Sequence, residues 1–163
     1  MSLSLSIRAV SLKPFFENPV FLSSISSWFF AQLMKTVIVV LNARKKRSPR
    51  EILETIAWRT GGMPSSHAAL VSSMTTSVAF SAGIGSNLFV VSFWIALIVM
   101  RDAMGVRRSS GIQARMLNIL GRNVAERLKT EFHPIKEVHG HAPLEVVVGA
   151  LLGIFIAAAY ANL

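Results

Sequence analysis

Four long apolar segments constrain this chain more than anything else in it: residues 19–42, 64–83, 87–106 and 143–160. A helix rises 1.5 Å per residue, so about 20 such residues match a hydrocarbon core of roughly 30 Å. Composition supports that reading. Apolar residues make up 52% of the chain and charged residues 15%, with a mean hydropathy of +0.52. A soluble domain spends about a quarter of its residues on charge, so lipid is the fitting solvent. The expectation is an all-α, polytopic membrane helical bundle of about four transmembrane helices.

The four segments differ in character. Lys35 is the one formal charge of the first. The second is rich in Ser, Thr and Ala and barely hydrophobic enough to face lipid all round. It belongs inside the bundle, where small residues permit close helix approach. The third is strongly apolar until Arg101-Asp102, and the fourth carries Gly149-x-x-x-Gly153, a close-packing signature. Ahead of them, residues 1–18 read as a flexible, Ser-rich N-terminal tail, weakly like an organelle transit peptide. Residues 19–163 form a single helical domain. Cysteine is absent, which removes disulfides, thiol nucleophiles and thiolate metal sites.

Loop lengths set the topology. Only residues 84–86 separate the second and third segments, so the two long loops, 43–63 and 107–142, share the opposite face. Six basic residues lie in the first of these (Arg44, Lys45, Lys46, Arg47, Arg50, Arg59). Seven more lie in the second (Arg107, Arg108, Arg115, Arg122, Arg127, Lys129, Lys136), out of 17 in the chain. The positive-inside tendency makes that face cytoplasmic, or stromal in a plastid, with both termini opposite. A formal charge of +9 would suit nucleic acid in a soluble chain. In a membrane chain it reports orientation and anionic lipid headgroups, and no nucleic-acid partner is expected. Within the second loop, Ile112, Met116, Leu120, Val124, Leu128 and Phe132 recur every four residues with arginines between them. That pattern fits an interfacial amphipathic helix, which Gly121 would interrupt.

Two stretches carry the candidate chemistry. Gly61-Gly62-Met63-Pro64-Ser65-Ser66-His67 stands directly ahead of the second segment. Its glycines allow a sharp turn, and Pro and Ser suit a helix start. Free N–H groups and the dipole there favour phosphate, with His67 in the first turn beside it. A helix cap with an incidental histidine is the plainer alternative. His139-Gly140-His141-Ala142-Pro143-Leu144-Glu145 precedes the fourth segment. Glu145 lies one turn after His141 and shares its face. A carboxylate on one imidazole nitrogen fixes the tautomer and leaves the other nitrogen nucleophilic. His133, His139 and His141 could instead bind metal, but no Cys or second carboxylate pattern accompanies them, so no metal or cofactor is expected. Lys35 either snorkels outward or projects towards a bound anion. Asp102 is placed to hold Lys35 or Arg107. Two histidines, several cations and a helix N-terminus on one face make a coherent phosphoryl-transfer set.

GGMPSSHAALV, RDAMGVRRSSGIQA and GHAPLEVVVGALLG together resemble the divergent membrane branch of the type-2 phosphatidic acid phosphatase and vanadium-dependent haloperoxidase superfamily. The resemblance covers roughly residues 19–162. It implies a helical membrane phosphatase acting on a lipid or prenyl phosphate without metal. By that likeness His141 is the nucleophile, Glu145 its orienting acid and His67 the general acid. Lys35, Arg44, Ser65, Ser66 and Arg107 or Arg108 would hold the phosphate. The departures are specific: Ser66 stands where the wider family has glycine, Glu145 replaces Asp, and no arginine lies six residues before His141. A non-catalytic membrane protein that binds anionic lipid, in transport or assembly, is the competing expectation.

Overall fold

A computed structural model describes residues 11–41, 62–137 and 140–162. They form α1 (Lys13–Phe16), α2 (Pro19–Leu41), α3 (Ser66–Ala82), α4 (Asn87–Met104), α5 (Val106–Leu128) and α6 (Pro143–Ala161), with no strand among the described residues. Each boundary has a local cause. Asn18 Oδ1 accepts the Val20 N–H at 2.8 Å to open α2, and Ser65 and Ser86 cap α3 and α4 through the N–H groups of Ala68 and Phe89. Gly83, at φ +83°, closes α3 in a conformation that costs glycine little. The hairpin between α3 and α4 is therefore as short as the loop count requires.

Three helical stretches are long and apolar enough to cross a membrane: α2, the run 87–128 whose apolar part is α4, and α6. α3 falls just short of that length, with 17 residues and a run of Ser and Thr. It forms the centre of the bundle, as its small polar residues lead one to expect, packed against α6, α2 and α4. Its surroundings are protein rather than lipid. Ser66, Ser72, Ser73, Thr75 and Ser77 are all buried there.

Polar pairs tie this core to its neighbours. Ser23 Oγ and Ser77 Oγ lie 2.7 Å apart between α2 and α3. The Thr75 hydroxyl reaches the Ser92 carbonyl of α4 at 3.1 Å, and Ser26 meets the Tyr160 hydroxyl of α6 at 2.9 Å. Such interhelical bonds in bilayers contribute about 0.6 kcal/mol each. Gln32 Oε1 and Ser73 Oγ are buried without a hydrogen-bond partner among the described residues. The α3–α6 contact is backbone on backbone: a Cβ at Gly149 would strike the Ser65 carbonyl, and one at Gly153 the Ala69 carbonyl. Outward faces carry Phe29 and Phe30 on α2, Trp94 and Ile98 on α4, and Leu151 and Phe155 on α6, all exposed as lipid-facing residues are.

Helix α5 lies outside this bundle. It runs through Gly121 without a break, and the Phe132 ring fills the space that a side chain at that glycine would take. Phe132 itself is not on the helix, which ends where Lys129 turns left-handed at φ 52°. The chain then doubles back, and Asn118 holds the returning segment. Its Oδ1 accepts the Ile135 N–H at 2.8 Å, while its Nδ2 donates to the Ile135 carbonyl at 2.8 Å and to Glu137 Oε1 at 3.0 Å. Ile112, Met116, Leu120, Val124 and Leu128 remain exposed on the other side of α5.

Candidate functional site

The returning segment delivers His141 to the end of α4 and the start of α6. Gly140 lies against the backbone of Arg108, so close that a side chain there would overlap it. The His141 N–H donates to the Ala103 carbonyl at 3.0 Å. These two contacts bring the displaced arginines of α5 next to His141, although the sequence separates them by more than 30 residues.

Pro143 opens α6, a position where a missing N–H costs nothing. Glu145 follows in the first turn, and its Oε2 lies 3.0 Å from His141 Nδ1 and 3.1 Å from the Ala142 N–H. A carboxylate only accepts, so Nδ1 carries the proton and Nε2 is left with its lone pair. The imidazole is 5% exposed, which holds its orientation.

The N-terminus of α3 is fastened to the same place. The Ser65 N–H donates to the Glu145 backbone carbonyl at 2.9 Å, and Gly149 seats α6 against Ser65 one turn later. Ser65 and Ser66 are buried at this junction. His67, the next residue, is exposed on one side, and partial burial of its ring, followed by the nearby charges of Arg107, His141 and Lys35, disfavours its protonated form. Residues from α2 and α5 and the residue ahead of α6 therefore lie within electrostatic reach of His67 on α3.

Lys35 is 2% exposed, which resolves the choice between snorkelling and burial in favour of burial. Gly62, at φ +84°, packs over its stem with a would-be Cβ 3.8 Å from Lys35 Cγ. Arg107 Nε–H donates to Asp102 Oδ2 at 2.8 Å, so Asp102 takes the arginine of the two candidates named for it. Both side chains are substantially exposed, which limits that pair to about 1 kcal/mol at most. Arg108 is exposed beside Gly140, and His133 is exposed on the returning segment. Arg44 and His139 lie outside the described residues.

Sequence reasoning missed the two backbone links, Ser65 to Glu145 and His141 to Ala103. The signal for the second was Gly140 between two histidines, a glycine demanded by close approach. It also missed Gln32, a buried amide one turn before Lys35 on the same face. An amide three residues from the single charge of an apolar segment was the available clue.

No solved structure matches the chain. Among curated proteins, YuiD of Bacillus subtilis (strain 168), described as an uncharacterized membrane protein, is 40% identical over 146 residues, covering 83% of this chain and 89% of that one. The family model described as the divergent PAP2 family matches residues 16–156, a stretch containing all four bundle helices up to the last turn of α6 and every candidate residue above. The chain is an integral membrane protein and belongs to the divergent PAP2 family.

Proposed function

We propose that the protein hydrolyses a lipid or prenyl phosphate, with His141 as nucleophile. The observation that carries the reading is the buried His141–Glu145 pair at 3.0 Å, fastened to the N-terminus of α3. Nε2 of His141 attacks phosphorus, and the bond from phosphorus to the leaving oxygen breaks. His67, protonated once the phosphate anion offsets the neighbouring cations, gives its proton to that oxygen and then takes one from the water that cleaves the phosphohistidine. Glu145 stabilises the imidazolium character that develops on His141. Ser65, Ser66 and the first N–H groups of α3 cradle the phosphoryl oxygens, joined by Lys35, Arg44, Arg107 and Arg108. The Nε edge of Arg107 is occupied by Asp102, so a phosphate meets its Nη edge. These cations supply the charge neutralisation that a metal ion would otherwise provide. By the positive-inside tendency the site faces the cytoplasm or, in a plastid, the stroma.

The test is phosphate release from several lipid phosphates by purified protein in detergent or nanodiscs. His141→Ala should remove turnover, and His67→Ala should lower it by about 10²–10⁴-fold, the usual worth of acid–base catalysis. Hydrolysis that survives His141→Ala would overturn the assignment.

One observation favours a second reading, an anionic-lipid-binding protein without catalysis. Helix α5 presents Ile112, Met116 and Leu120 outward, with Arg115 and Arg122 exposed along the same helix, as a headgroup-level helix does. Vesicle binding that depends on anionic lipid and is unchanged by His141→Ala, with no phosphate released, would establish this reading over the first.

A further inference from the structure

Helices α4 and α6 pack far less against each other than either packs against α3. Between them lies a groove of about 570 Å³, open along one side and almost wholly apolar. Trp94, Leu97 and Met100 line it from α4, and Val147, Ala150 and Leu151 from α6. Its upper end is formed by Met104 and Val146. Both pack with Ala103, whose carbonyl holds the His141 N–H. The groove therefore ends against the floor of the candidate site.

Its length carries meaning. From Met104 down to Trp94 is ten residues of helix, or about 15 Å. That is half of a roughly 30 Å hydrocarbon core, the depth of a single leaflet. The charge is also placed at one end. Arg101 lines the groove near the site face, and Arg107 stands just beyond on α5. An apolar slot one leaflet deep, with cations at its headgroup end, is complementary to a chain with a phosphate on top. Met100 and Met104 add unbranched, adaptable side chains where chain meets head.

A second groove offers a contrast. About 480 Å³ lies at the other end of the bundle, among Phe15, Phe21, Met74, Val78 and Leu88, and no charged side chain lines it. Bulk lipid fills such a space without preference for a headgroup.

We infer that the groove between α4 and α6 holds the hydrocarbon chain of a lipid phosphate whose head lies at His141. The inference rests on the proposed function for its headgroup. It adds that the substrate is a long-chain lipid of the site-facing leaflet, entering sideways between α4 and α6.

The experiment uses full-length protein in nanodiscs with a phosphatidic acid analogue bearing a diazirine midway along one chain. Crosslinked residues are mapped by mass spectrometry. Labelling should concentrate on residues 94–104 and 146–151. Unlabelled phosphatidic acid should compete at least tenfold better than phosphatidylcholine. Ala150→Trp should cut labelling in this groove several-fold and leave that around Phe21 and Leu88 unchanged. Equal labelling of both grooves, or equal competition by the two lipids, overturns the inference, and the competition result needs no variant to fold. Selective labelling without phosphate release keeps the groove and removes the hydrolase reading. Phosphate release with unselective labelling does the reverse.

Discussion

The junction of α3 with α6 and the attachment of α5 are built on opposite plans. In the first, two glycines one turn apart let backbone meet backbone, and a peptide hydrogen bond joins the two helix starts. Nothing long or flexible intervenes. In the second, one buried side chain, Asn118, makes three hydrogen bonds to a segment of irregular chain, and the apolar face of the helix stays exposed. The candidate site draws its histidine pair and serines from the first region and its arginines from the second. Its precision and its adaptability come from different places.

The contrast is open to direct attack. The largest effect should come from Gly153→Val, whose branches would drive into the Ala69 carbonyl and the Ser73 backbone. Overpacking against backbone should cost about 3 kcal/mol and lower the unfolding midpoint in detergent by roughly 6–12 °C. A midpoint within a degree of the parent would mean that α6 does not need this close approach. Next is Asn118→Ala. Leaving the Ile135 peptide without its partners should cost about 1–3 kcal/mol locally. Amide exchange should rise about tenfold over residues 130–137 while α3 and α6 stay protected. Global unfolding instead would show that the two regions are one cooperative unit.

Gly121→Ala should act in the same region and less strongly. The added methyl meets a phenyl edge that is able to swing aside, so about 1 kcal/mol is expected, read as faster exchange around Phe132. The smallest effect belongs to Asp102→Asn. Its pair with Arg107 is exposed, and its loss should cost no more than about 1 kcal/mol in thermal stability. A greater loss would place Asp102 among the residues that hold the bundle together.

Much of this was legible because membrane folding simplifies the problem. Segment lengths gave the helices, and the three-residue loop between the second and third segments is the tight hairpin between α3 and α4. The polar second segment announced its own burial, and Gly149 and Gly153 announced the contact that buries it. The pairing of His141 with Glu145 was anticipated from helical spacing, although α6 opens only at Pro143 and His141 stands ahead of its cap. What escaped detection was tertiary. Periodicity every four residues carried the surface helix past Leu128 to Phe132, because a ring folding back onto a glycine leaves the same apolar spacing as a ring on the helix. Gly121 looked like an interruption for the same reason: the sequence does not say which side chain occupies the space. Lys35 had two outcomes of equal standing until its neighbours were known.

The hydrogen bond from Ser65 to the Glu145 carbonyl has a mechanical consequence. Moving α6 away from α3 would break this bond and open the Gly149–Ser65 contact at once, so the two helix starts are joined at two points. On the other side, Gly105 is the elbow where α4 gives way to α5. A change of angle there would move Arg107 and Arg108 together, and through the Gly140–Arg108 contact it would reach the segment that positions His141.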